Sequence, residues 1–264
     1  MRQWIIQTTL GLSVFCSLES YAAPTEKTLV KAQLTTVQHR QFCQQFSVYC
    51  LPHNSSTLYK VKQDTEQFYL VGDLKLTQIQ YINGTFNKRN QWNFLSYQPQ
   101  NQQAQWSVQA DESTDVPELS IFPKLFPINA TDYAVGIVQT WHDMYSGGGL
   151  TEEMIDFVQL KEHGQYQVVL NHIPLSMSRM IRACFSEQDY AKAEKANSSC
   201  HDEARLGSRI QYIKPNVWKI IYTFNVSYSV TSDSQEHSFT EQKSFMLYLN
   251  QNNKINFPKK WQES

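Results

Sequence analysis

The sequence predicts a mainly β protein: an antiparallel β-sandwich or strongly curved meander sheet with one short helix and two local disulfides. The first of three observations is an alternation. Trp218, Ile220, Tyr222, Phe224, Val226, Tyr228 and Val230 recur at every second position, with mostly polar residues between them. Successive strand side chains point to opposite faces, so this period builds a strand with one buried face. Second, glycine-containing turns punctuate further short apolar segments at close intervals, the pattern of a β-meander. Third, aromatic residues make up 13% of the chain and concentrate in the strand candidates, where Tyr, Trp and Phe pack well on a pleated surface.

The elements follow in order. Met1-Arg2 opens the chain with a positive charge, an apolar run spans Leu10 to Leu18, and Ser20-Tyr21-Ala22 places small residues at both positions a signal peptidase reads. Residues 1–22 therefore read as a signal peptide cleaved after Ala22, and the expected location is periplasmic or secreted. That apolar run is about half the ~20 residues a membrane span needs, and every later apolar run is interrupted, so no transmembrane segment is predicted. Phe15 before Cys16 argues against a lipid anchor. The remainder, 23–264, reads as a single β-rich domain, with an irregular or helical leading segment over 23–57 and a sheet core over 58–264.

Within the sheet core, the stretch from Phe68 to Phe86 carries alternating apolar residues and the turn signal Asn83-Gly84. Trp92–Tyr97 and Gln105–Ala110 are shorter strand candidates, separated by the Gln-rich, turn-like Pro99–Ala104. Asp111–Pro127, with three prolines, reads as a loop or irregular connection. Tyr133–Trp141, Met154–Leu160 and Gln165–Ile173 form a meander, turned at Ser146–Gly149 and at Gly164. Glu187–Ala196 carries the helix pattern. Trp218–Val230 is followed by its hairpin partner Phe245–Leu249, across the polar turn Ser232–His237.

Cysteine usage agrees with export. Apart from Cys16 the chain has Cys43, Cys50, Cys184 and Cys200. Four cysteines allow three connectivities, and the spacings favour the local bridges Cys43–Cys50 and Cys184–Cys200. In the chain-entropy picture these stabilise by about 2.5 and about 3 kcal/mol, the longer loop more. No C-x-x-C pair offers zinc spacing, so no metal and no cofactor is predicted. Five N-x-S/T triplets begin at Asn54, Asn83, Asn129, Asn197 and Asn225. They are glycan acceptors in a eukaryotic setting; the Gln/Asn-rich composition and brief leader favour a Gram-negative periplasm.

Charge excludes one class of partner. The formal net charge is −1, and removing Arg2 and Glu19 with the leader leaves it unchanged. Such a chain has no electrostatic footprint for nucleic acid, and the compact basic run Lys259-Lys260 is ordinary solvation at the tail.

The most suggestive stretch is Trp141-His142-Asp143-Met144-Tyr145-Ser146-Gly147-Gly148-Gly149. Trp141, His142, Asp143, Tyr145, Gly147, Gly148 and Gly149 are the candidate binding residues, because a glycine run lets backbone amides approach a ligand. It is no phosphate loop: Leu150 follows where a Lys belongs, and a strand is expected rather than a helix. The plainer reading is a hairpin turn with polar flanks. Cys200-His201-Asp202-Glu203 reads as a solvated loop beside a cystine. Adjacent acids such as Glu152-Glu153 read as exposed, and His172 as a satisfied strand histidine. Arg179 and Arg182 could grip an anion from one helical face or simply be solvated. No nucleophile elbow, H-E-x-x-H or EF-hand pattern is present, so no catalytic residue is assigned.

The resulting expectation is an exported, disulfide-stapled binding or interaction module, for example an inhibitor or immunity-type protein, whose partner is a protein or an envelope polymer. The alternatives are a cell-envelope hydrolase using acids and histidines from separate strands, and a structural envelope component.

Overall fold

The computed structural model describes residues 24–62, 64–100, 105–106, 117–232 and 237–263. The expected signal peptide, most of the Gln105–Ala110 candidate and the middle of the Ser232–His237 turn lie outside the described residues. In chain order the elements are β1 (Lys27–Lys31), α1 (Thr36–Gln45), β2 (Thr57–Val61), β3 (Gln67–Gly72), β4 (Lys75–Ile82) and β5 (Thr85–Asn93). Next come β6 (Glu118–Pro127), β7 (Tyr133–Tyr145), β8 (Gly148–Leu160) and β9 (Tyr166–Arg182). The chain continues through α2 (Glu187–Lys195), β10 (His201–Lys214), β11 (Val217–Ser227), β12 (Phe239–Tyr248) and α3 (Lys259–Glu263). Short 3₁₀ turns cover Ser47–Cys50 and Glu162–Gly164.

The strands form one open, twelve-stranded sheet in the order β12-β11-β10-β9-β8-β7-β6-β1-β2-β3-β4-β5. Every pairing is antiparallel, and only β1 departs from the meander, standing between β6 and β2. Two-residue turns set the register. Asn83-Gly84, with φ of 52° and 76°, joins Ile82 to Thr85, as expected where both turn residues must be left-handed.

The sheet folds on itself because β7 and β8 are buried on both faces. Along β7, Ala134 and Val138 pack in one apolar cluster with Ile155, Phe157, Trp218 and Phe224. Val135 and Ile137 pack in another, with Leu29, Leu76, Trp92 and Phe94. A strand covered on both sides reads as a nearly continuous apolar run, which Tyr133–Val138 is. Register shifts between β8 and β9 opposite Glu153–Val158 bend the sheet, as bulges do. The β10–β12 layer then returns across the first cluster, tied by Trp218 Nε1 to the Pro127 carbonyl at 2.7 Å and Tyr222 OH to the Pro174 carbonyl at 2.9 Å. Trp261 of α3 completes that cluster. On the outer face of β3–β5, Phe42 of α1 packs with Phe68, Ile79 and Phe86.

Both cystines form as expected, with Cα–Cα separations of 5.7 Å for Cys43–Cys50 and 5.1 Å for Cys184–Cys200. The helix expected over Glu187–Ala196 is α2, opened by a capping box between Ser186 and Asp189. Three helices are present among the described residues rather than one.

Several readings need correction. The segment ending at Pro127 contains strand β6, because Pro123 falls within the register shift between Phe122 and Leu125 and Pro127 ends the strand, positions where a missing N–H costs no ladder bond. The Trp92–Tyr97 candidate stops being strand at Asn93. The Asn93 side chain accepts the Leu95 N–H at 3.0 Å, and the turn that follows still buries Phe94 and Tyr97. Residues from His201 onward are strand β10, not loop. The leading segment holds strand β1 as well as helix α1.

Candidate functional site

The glycine-rich stretch is the tip of the β7–β8 hairpin. Tyr145 pairs with Gly148 across the turn Ser146-Gly147, and Gly147 has a φ of 97°. Register assigns each candidate to a face. Trp141 and Asp143 alternate with His142 and Met144. Trp141 pairs with Glu152, and Asp143 with Leu150. His142 lies beside Thr151 and Ser178, while Met144 lies beside Gly149 and Met180. The hairpin thus separates the acid–histidine pair His142-Asp143 instead of joining it. Gly148 and Gly149 are strand residues, and only Gly147 belongs to the turn.

The most exposed large apolar side chains among the described residues are Met144, at 82%, and Phe185, at 74%. Gly149 makes room for the first, since a Cβ there would lie 2.9 Å from Met144 Sδ. Met180 follows on β9, and two residues on, by the period of two, Arg182 shares its face. The Arg182 guanidinium lies 5.4 Å over the Phe185 ring, a cation–π arrangement. Its Nε donates to the Cys184 carbonyl at 2.7 Å, and Nη2 donates to Tyr190 OH at 3.2 Å. A stripe therefore runs from Met144 through Met180 and Arg182 to Phe185 and Tyr190. Beside it, Gly149, Thr151, Ser178 and Arg205 help line a shallow pocket of about 210 Å³.

The stripe is held from behind. The Arg182 N–H donates to the Gly147 carbonyl at 2.6 Å, and the Ala183 N–H to the Cys200 carbonyl at 2.8 Å. The Cys184–Cys200 bridge thus fixes the α2 loop to the hairpin turn through the end of β9. Asp189 caps α2; the Phe185 N–H bond, with the Ser186 bonds, holds its carboxyl below the ordinary aspartate range. His142 Nδ1 lies 3.1 Å from Thr151 Oγ1, which orients its ring on the same face.

The other candidates have structural duties. Arg179 and Arg182 lie on a strand, three apart, and so take opposite faces rather than one helical face. Asp202 accepts the Ser229 N–H and the Ser232 hydroxyl, both at 2.7 Å. Glu152, expected to be exposed, is buried, and accepts the backbone N–H groups of Gln105 at 2.6 Å and Trp106 at 3.0 Å. Asp156 is buried too, receiving Tyr97 OH and the His172 N–H at 2.6 Å and Gln139 Nε2 at 3.2 Å. Burial raises the Asp156 carboxyl above its ordinary range and lowers His172 below its own. His172 departs from the satisfied strand histidine expected: its φ is 54°, and its buried Nδ1 has no hydrogen-bond partner among the described residues.

Met144 lies within the glycine-rich stretch but is not among its candidate binding residues, and neither Met180 nor Phe185 is marked out by the sequence pattern. The available signal was a large aromatic directly after a cystine in an otherwise polar stretch. Protein-family models, curated proteins and solved structures were compared with the chain, and none matches. Among the described residues no helix is long and apolar enough to cross a membrane.

Proposed function

We propose that the chain is an exported recognition module whose partner, a protein or an envelope polymer, docks on the stripe Met144–Met180–Arg182–Phe185. An inhibitor or immunity-type protein is the nearest functional description. One observation carries this reading: the two most exposed large apolar side chains among the described residues are Met144, at the tip of the braced hairpin, and Phe185, stacked under Arg182 at the end of the neighbouring strand. Exposed apolar side chains grouped beside polar residues mark interaction sites, and recognition loops are effective when a rigid scaffold positions them. The two cystines support an oxidising compartment. The hydrolase alternative draws no support from the two buried carboxylates, which are turned toward backbone, amide and phenol donors rather than toward a cleft.

The test is capture from envelope extract on the immobilised mature chain. A stoichiometric partner is expected with the wild type, lost with Met144→Ser/Phe185→Ser and kept with Val48→Ser/Leu51→Ser at the α1 end. Loss with the second variant alone moves the site to α1. Recovery of nothing beyond the control matrix overturns the proposal.

A further inference from the structure

A second constellation lies on α1 and the turn that follows it, over β3–β5. His39, Cys43 and Cys50 each bring a ligand atom to one place, all within 4.8 Å of one another. Both His39 ring nitrogens are 3.8 Å from Cys43 Sγ. His39 and Cys43 stand four residues apart on α1, and so share one helix face; Cys50 ends the following 3₁₀ turn. We propose that opening the Cys43–Cys50 bond uncovers a zinc site formed by the two cysteine sulfurs and the His39 imidazole.

The ligand-bearing elements do not depend on the bond for their placement. Thr35 and Gln38 form a capping box at the start of α1. Phe42 is buried, its ring 5.0 Å from Phe46 and 5.4 Å from Phe86. Tyr81 OH of β4 donates to Gln41 Oε1 at 3.1 Å. The Tyr49 N–H donates to the Phe46 carbonyl at 3.0 Å and holds the turn that carries Cys50. A sequence separation of 7 closes only a short loop, the kind whose opening costs the fold least. The two sulfurs can then part to the distance that two thiolates on one ion require, while helix and turn stay seated.

The chemistry balances with a dithiol as reductant. The dithiol gives two electrons and two protons, the S–S bond of the protein breaks to two thiols, and the reductant becomes the disulfide. Zinc then displaces the two thiol protons and takes the neutral His39 nitrogen. Two thiolates and an imidazole are ordinary zinc ligands, and with three protein ligands a water completes the tetrahedron. A groove of about 400 Å³, lined in part by Leu34, His39, Phe42, Tyr49 and Cys50, leaves that fourth position accessible. Among the described residues the other cystine has no such arrangement: Cys184 is fully buried, with Thr231 Oγ1 3.5 Å from its sulfur.

The test uses the full mature chain, reduced with dithiothreitol, desalted without oxygen, and titrated with zinc against a chromophoric chelator. Circular dichroism is recorded alongside. One zinc per reduced chain and none per oxidised chain is expected, with release of two protons. Cys43→Ser/Cys50→Ser should lose the zinc and keep the sheet spectrum. His39→Ala should weaken binding by at least about tenfold, the scale on which even the supports of metal ligands act. Three results overturn the proposal: no more zinc on the reduced wild type than on the double serine variant, His39→Ala binding as tightly as wild type, or loss of the sheet spectrum on reduction.

Discussion

The root and the tip of the β7–β8 hairpin are made of the same two strands and behave as opposites. At the root, Ala134–Val138 and Met154–Val158 are buried on both faces, between two apolar clusters. At the tip, His142 and Met144 are exposed. Pairing runs without a register shift from Ala134–Gln159 to Tyr145–Gly148. The core therefore sets the direction of the tip, and the hairpin works as a cantilever, clamped at one end and reaching at the other. Exposed apolar side chains on such an arm lose little freedom on binding, which is where preorganisation gains affinity.

The largest expected effect breaks the clamp. Phe157→Ala removes a fully buried ring that packs edge-on against Phe126 and Trp218, and should cost about 3–5 kcal/mol in urea unfolding. Next, Cys184→Ser/Cys200→Ser unties the brace behind the stripe and should cost about 3 kcal/mol. Hydrogen exchange should rise at α2 and the end of β9 while the root stays protected; equal loss at the root would mean that the tip is not a separate unit.

A third prediction concerns pH. Burial raises the native Asp156 pKa above its unfolded value of 3.8, so the folded chain holds that proton more tightly. Its contribution to stability is present below 3.8 and is lost as pH rises through the raised native value. Urea midpoints across this range should show the wild type gaining on Asp156→Asn as pH falls, with a plateau below 3.8. His172 works in the opposite sense. Lowered from 6.5 by burial, partly offset by the Asp156 charge, it costs stability as pH falls below that value, and Asp156→Asn, which removes that charge, deepens this cost in the variant. The smallest effect sharpens the contrast at the tip: Met144→Ala should change stability by less than about 0.5 kcal/mol while reducing partner capture.

Much of this architecture is legible in the sequence because its causes are local. The alternation from Trp218 onward, the Asn83-Gly84 turn, the α2 helix and both cystines depend on neighbours within a few residues. What escaped depends on distant ones. β1 is five residues long and has its partners on β2 and β6. β6 hides behind prolines whose tolerance is visible only once the register shift is known. Glu152 looks like a solvated acid until the backbone of Gln105–Trp106 is brought over it, and the burial of Asp156 under the Tyr97 phenol likewise depends on distant residues. The sequence points to the β7–β8 hairpin loop, but not to the apolar face that the proposal uses. Which side of a strand looks outward depends on pairing, and Phe185 joins the stripe only through Arg182.

The placement of β1 has a mechanical consequence. Strands β2–β5 and β6–β12 are each stitched to their sequence neighbours, and among the described strands β1 alone pairs with both panels, a seam through Leu29–Lys31 on one side and Lys27–Thr28 on the other, while side chains such as Trp92, whose Nε1 donates to the Lys161 carbonyl, pack across them. That seam lies at the first described strand, so any pull on the amino end loads it before anything else. A bulky fusion or a surface tether placed just ahead of Lys27 should unpick the seam while both panels keep their own pairing.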